Sequence, residues 1–153
     1  MYAFPLDRLL LRFKFHGDLA AGRLLADLFC EQLGDGPLPQ ALLPVPLHRA
    51  RLRERGYDQA LELAKSIAKR IDVPLHRKHL RRVRGTARQS ELGLAARQRN
   101  LRGAFAVAGE SLPRHVALID DVMTTGATLR ECAQTLLRSG VERVDVWVIA
   151  RAP

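Results

Sequence analysis

The run from Val116 to Leu129, VALIDDVMTTGATL, constrains the fold more tightly than any other part of the chain. Val116 to Ile119 is an apolar run of the kind buried in parallel sheets, with two acids at its carboxyl end and a Thr/Gly-rich turn behind them. That turn opens a helix predicted over Thr125 to Arg138, with Leu129, Cys132, Ala133, Leu136 and Leu137 on one face and Gly140 as its stop. A second apolar strand, Val144 to Ile149, follows. Strand, helix and strand in that order imply an α/β fold with a mostly parallel sheet flanked by helices. In such sheets ligands bind at the carboxyl ends of the strands, which is where Asp120 and Asp121 stand.

The turn has the chemistry of a phosphate cradle. Thr124, Thr125, Gly126, Ala127 and Thr128 offer backbone N–H groups at a helix N-terminus together with three hydroxyls, and Gly126 allows close approach without a Cβ. The spacing matches neither G-x-x-x-x-G-K-[ST] nor G-x-G-x-x-G. Two acids beside a phosphate would repel it unless they face another part of the ligand, and vicinal ribose hydroxyls are their natural partners. The pattern therefore points to a ribose 5-phosphate. Direct Mg²⁺ binding by the carboxylates, or a plain capping role for Asp121 or Thr124, stays open at this point.

Upstream, Asp18 is positioned to cap a helix running to about Leu33, with Ala21, Leu24, Leu25, Leu28 and Phe29 as its apolar stripe and Gly34 beyond it. Ala41 to Leu47 reads as a buried strand ending at prolines, and Asp58 as the N-cap of a helix to Ile71 that Pro74 keeps from continuing. From Arg81 to about Ser90 the chain reads as a long mobile loop, which in a compact domain marks a lid or binding loop. One domain is expected over residues 1–153.

Charge sharpens the picture. The net +9 is concentrated in two segments: Arg49 to Arg55 holds four Arg against one Glu, and Arg77 to Arg102 holds nine Lys or Arg against one Glu. The remainder is slightly acidic, so the excess describes local anion sites and not a uniformly basic surface. Single-stranded nucleic acid is one partner of suitable charge, yet no aromatic residue lies between Tyr57 and Phe105 to stack on bases.

Beyond these local readings, the Val116–Leu129 run resembles the 5-phosphoribosyl 1-diphosphate (PRPP) binding motif of type I phosphoribosyltransferases. The segments FKFHGD (Phe13 to Asp18), PVPL (Pro44 to Leu47), RERGYDQA (Arg53 to Ala60) and TARQSELGLAARQRNLRGAF (Thr86 to Phe105) are similar to the ComF family of competence-associated, phosphoribosyltransferase-like proteins. The resemblance implies a small N-terminal hood over about residues 1–36. It implies Asp120 and Asp121 on the ribose hydroxyls as catalytic residues, and Thr124 to Thr128 on the 5-phosphate. Arg53, Arg55 and Gly56 would take the diphosphate, and residues 81–99, with Arg84, Arg88, Gln89 and Arg97, would form a flexible lid. Mg²⁺ would enter with PRPP, with direct contact to Asp120 and Asp121 left open. Two departures stand out. Family members commonly begin with a four-cysteine zinc module, which these residues lack, and commonly carry Asn where this chain has Asp58, a position that the residues themselves assign to a helix cap.

The remaining chemistry-bearing residues have plainer readings. His16, His48, His76, His79 and His115 show no ligand spacing, and Cys30 and Cys132 sit among apolar neighbours as core residues. Trp147 is expected to pack. Lys14, in an otherwise apolar segment, either points into the site from the hood or snorkels at the surface. No apolar run reaches the ~20 residues of a membrane span, there is no signal-peptide core, and the cysteines form no disulfide framework, so a cytoplasmic protein is expected. The functional expectation is a phosphoribosyltransferase with Mg²⁺, serving DNA uptake or nucleotide salvage. The alternative is a non-catalytic, single-stranded-DNA-associated competence factor that keeps the fold as a binding or sensing module.

Overall fold

The computed structural model describes residues 6–47, 52–53, 56–84 and 101–152. Three parallel strands form its centre: β1 (Ala41–Pro44), β4 (His115–Met123) and β5 (Arg143–Arg151), in the order β1-β4-β5. β4 occupies the middle, pairing Ala41 to Pro44 with Val116 to Ile119 on one side and His115 to Met123 with Arg143 to Arg151 on the other. A short antiparallel pair, β2 (Leu80–Arg82) and β3 (Phe105–Val107), stands apart from this sheet. Helices α1 (Leu6–His16), α2 (Leu19–Glu31), α3 (Gln59–Ile71) and α4 (Ala127–Arg138) complete the described elements. The expected fold class therefore holds, with β4 and β5 each running beyond the apolar cores that announced them.

Alternation along β4 builds two cores, because successive side chains leave a strand on opposite faces. Val116 and Leu118 join Leu129, Cys132 and Leu136 of α4, together with Leu80 and Phe105 of the small hairpin. Ala117 and Ile119 join Leu10 and Phe13 of α1, Leu25 and Ala26 of α2, and Leu63, Ala64 and Ile67 of α3. Trp147 packs on Phe29 with ring centroids 5.5 Å apart. Among the described residues no helix is long and apolar enough to cross a membrane.

Local signals placed the starts of α2 and α3, while the helix expected from Thr125 begins two residues later, at Ala127, because Gly126 takes the N-cap position. The Asp18 carboxylate accepts from the Ala21 N–H at 3.0 Å and that of Asp58 from the Leu61 N–H at 3.1 Å, as the N-cap readings require. α3 ends one step earlier than Pro74 would force, at Asp72, whose left-handed φ of 54° closes the helix as a C-cap.

The face of α2 differs from the expected stripe. Leu24 and Leu28 are exposed, while Ala21, Gly22, Leu25 and Ala26 are buried. Packing decided this: a Cβ at Gly22 would come within 2.5 Å of the Phe13 ring, so the helix turns its smallest residues toward α1 and the two backbones approach closely.

The loop expected from Arg81 also needs correction at its start. Arg81 and Arg82 belong to β2, where they pair with Ala106 and Phe105, and the N–H groups of Val83 and Arg84 both donate to the Ala104 carbonyl. Backbone pairing with a partner more than twenty residues away overrides the polar, aperiodic local sequence. Residues 85–99 of the expected lid, Arg88, Gln89 and Arg97 among them, lie outside the described residues.

Candidate functional site

The site forms where β4 runs out. Asp120, Val122, Met123 and the turn from Thr124 to Leu129 line an open hollow of about 270 Å³ that extends into solvent. The turn is made by Gly126, whose φ of 69° lies in the left-handed region and which occupies the N-cap position of α4. Unlike Asp18 and Asp58, this cap has no side chain to accept from the helix N-terminus. Thr125 Oγ1 covers only the Ala127 N–H, at 3.4 Å, and the first backbone helical bond runs from the Arg130 N–H to the Gly126 carbonyl at 2.9 Å. The opening turn of α4 thus presents N–H groups and the positive end of the helix dipole to the hollow. Neither Asp121 nor Thr124 caps this helix.

The strand alternation separates the two acids. Asp120 falls on the side of α4 and lines the hollow, whereas Asp121 falls on the side of α1, where its Oδ2 lies 3.3 Å from Lys14 Nζ. Each carboxylate accepts the next backbone N–H: Asp120 Oδ1 from Asp121 at 2.9 Å and Asp121 Oδ1 from Val122 at 2.8 Å. The carboxyls remain near enough to interact. Burial, reinforced by the charge of Asp121, pushes Asp120 from the usual carboxylate range up to about 8. Its ionised form is therefore disfavoured beside Asp121.

Asp58 adds a third carboxyl to this neighbourhood. Burial raises its pKa against the opposing hydrogen bonds from the α3 N-terminus, and the Asp121 charge adds to the rise. The cap reading of Asp58 is right, but its proximity to Asp121 carried no sequence signal, since sixty-odd residues separate them. Of the expected diphosphate residues, Arg53 is exposed, Gly56 has a φ of 77° and donates its N–H to the Leu52 carbonyl at 2.8 Å, and Arg55 lies outside the described residues. Tyr57, directly after Gly56, meets Phe13 of α1 edge-on at 5.9 Å, which ties the start of α3 to α1. Arg84, expected in the lid, is anchored at the β2–β3 pair, its Nη2 donating to the Arg102 carbonyl at 2.7 Å.

Sequence alone leaves Lys14 with two readings, and the structure chooses the one inside the site. Sequence reasoning missed Gln59, which is 3% exposed and donates from Nε2 to the Lys14 carbonyl at 3.4 Å. A buried amide at the first position of a helix, immediately after its cap, was the available sign. Cys132 is buried in the core as expected, and burial raises its thiol well above the ordinary range.

As a donor set, Asp120 and Asp121 offer the hard oxygens that Mg²⁺ prefers. Among the described residues, no group of three or more His, Cys, Asp or Glu side chains is arranged to hold a metal by itself. The site thus fits an ion that keeps several ligands from water or substrate phosphates, and a cation held there would offset the burial and the Asp121 charge that disfavour ionised Asp120.

Comparison with known proteins agrees with this geometry. Residues 58–153 match the phosphoribosyl transferase domain. The chain is 40% identical over 160 residues to competence protein F of Haemophilus influenzae, covering 99% of this chain and 70% of that protein. It is 34% identical to the DNA utilization protein YhgH of Escherichia coli K12, covering 98% and 69%. Among solved structures, the glutamine PRPP amidotransferase of B. subtilis aligns with a TM-score of 0.62 at 15% identity, over 92% of this chain and 30% of that one. The orotate phosphoribosyltransferase of Aeropyrum pernix aligns with a TM-score of 0.53 at 19% identity, over 90% and 75%. These likenesses establish the type I phosphoribosyltransferase fold, and with the domain match and the sequence relatives they lead to one assignment: the chain belongs to the phosphoribosyl transferase domain family, within its ComF (competence protein F-like) group.

Proposed function

We propose that this protein binds PRPP together with Mg²⁺ and transfers its 5-phosphoribosyl group to an acceptor. The observation that carries the reading is the meeting, at the end of β4, of an acid pair, Asp121 buried and Asp120 half-buried, with the N-terminus of α4, which no N-cap side chain covers. In this reading the N–H groups of the 124–128 turn and its threonine hydroxyls hold the 5-phosphate. Asp120 and Asp121 accept from the ribose hydroxyls and fix the ring, and Arg53 and Arg55 face the diphosphate.

Cleavage of the ribose C1–oxygen bond leaves positive charge on the sugar and negative charge on the departing diphosphate. Arginines aimed at the leaving group stabilise the second charge, and Asp121, joined by Asp120 when nearby positive charge lowers its raised pKa, favours the first through the field at the ribose. Mg²⁺, when held by PRPP and the acid pair, supplies positive charge to the diphosphate oxygens. The cytoplasm is the proposed setting, from the two free cysteines.

Calorimetric titration of PRPP with Mg²⁺ tests the reading. Wild type is expected to bind with a rise in melting temperature. Asp120→Asn combined with Asp121→Asn is expected to lose most of both, and undiminished PRPP affinity in that variant would refute the ribose assignment. Diphosphate release, screened across nucleobases and DNA, identifies the acceptor. A second reading, a non-catalytic factor that contacts single-stranded DNA, draws support from the names of the relatives, competence protein and DNA utilization protein, and from the basic residues between 77 and 102.

A further inference from the structure

Lys14 stands on the last turn of α1, and two contacts fix the backbone that carries it. Gln59 holds its carbonyl, and its neighbour Phe13 is fully buried, fitted over Gly22 and against the Tyr57 ring. The side chain is 27% exposed and its ammonium lies against Asp121, whose own side chain is 13% exposed. Lys14 also pulls against the rise of the Asp120 pKa. A positive group delivered from another element thus occupies the flank of the acid pair.

Resting on the PRPP reading of this site, we propose that Lys14 is a tethered counter-cation that keeps free divalent metal off the acid pair, so that Mg²⁺ enters only with a diphosphate-bearing ligand. An ammonium 3.3 Å from a carboxylate repels a dication approaching the same oxygens, and Mg²⁺ parts reluctantly with its water. A diphosphate changes the balance, because its own negative charge offsets the repulsion from Lys14. Lys14 acts through Asp121 and is a positioning residue, not a catalytic one. Its effect is selection of the metal–ligand complex over the bare ion, and α1 is the element that delivers it.

The test is calorimetric titration with MgCl₂ alone, at fixed ionic strength, of wild type, Lys14→Met and Lys14→Arg. Methionine keeps the apolar stem while removing the charge. The Met variant is expected to bind Mg²⁺ about tenfold more tightly or better, the scale on which one nearby unit charge shifts a carboxylate equilibrium. Lys14→Arg, which restores the charge, is expected to stay near wild type. A purely structural role would lower the melting temperature of the Met variant without tightening its hold on Mg²⁺. Thermal melts without metal identify a variant that fails to fold, and Lys14→Gln then takes its place in the comparison. Mg²⁺ affinity in the neutral variant equal to or below that of wild type, including no binding to either, overturns the proposal. Parallel titration of wild type with PRPP and Mg²⁺ separates the two claims: loss of PRPP binding refutes the site reading, while the MgCl₂ comparison decides Lys14.

Discussion

At Asp120 the fold disfavours the charge that the proposed ribose and Mg²⁺ contacts would require. A group whose pKa is raised to about 8 by burial and by Asp121 contributes stability that is complete below about pH 4, where the unfolded carboxyl is also protonated. That contribution is lost as pH rises toward 8, because the unfolded carboxyl ionises freely above about pH 4 while the folded one is held in its protonated form until about pH 8. Asp120→Asn is therefore expected to stabilise the ligand-free protein by more than about 1 kcal/mol at alkaline pH, with the gain shrinking toward zero near pH 4. Urea unfolding across that range measures it, and a pH-independent difference would show that Asp120 ionises in the folded protein as readily as in the unfolded chain. Gly126 is constrained differently. A Cβ there would meet only the flexible Met123 side chain, with Sδ at 3.4 Å and Cγ at 3.8 Å, so the backbone φ of 69° sets the demand and not crowding. The sequence suggested close approach to a phosphate; the structure adds a left-handed turn. Gly126→Val is expected to cost about 1–3 kcal/mol in thermal unfolding, and Gly126→Asn far less, since Asn tolerates that region.

At the scale of elements, caps were legible and faces were not. Asp18 and Asp58 announced α2 and α3 because a cap is a bond within four residues, and neighbours in sequence decide it. The buried face of α2 was set instead by α1, whose own pattern was obscured by Leu11 and Phe15, both exposed on its outer side. An isolated Gly inside a helical pattern was the sign that something approaches closely there. Gly22→Ala is expected to destabilise by about 1–2 kcal/mol, because the clash with the buried Phe13 ring outweighs the roughly 1 kcal/mol that Ala gains in helix propensity. By displacing α1 it should also weaken the Lys14–Asp121 pair. A melting temperature at or above that of wild type would show that α1 relaxes without cost. The pairing of β2 with β3 was out of reach for the same reason as the α2 face: Arg81 and Arg82 find their partners across a long separation in a stretch without apolar rhythm.

For the molecule as a whole, the net charge of +9 is a statement about partners, since charge of this kind governs association more than fold. If the basic residues of the 77–102 segment grip a single strand, neutralising Lys78 and Arg81 together should flatten the plot of log affinity against log salt by roughly 0.7 for each phosphate that is no longer neutralised. Fluorescence anisotropy with an oligonucleotide at several salt concentrations measures the slope, and an unchanged slope removes the β2 flank from any DNA interface. The α/β class, the central strand with its two acids, the Thr/Gly turn that opens α4 and the caps of α2 and α3 were determined by sequence alone. Each depends on residues close together in the chain, where periodicity, capping and turn chemistry operate. Tertiary structure alone decided which face of α2 is buried, that Asp58 lies near Asp121, and that Lys14 is a member of the site. Those facts depend on packing between segments far apart in sequence, where close approach, burial and charge are set by the assembled fold.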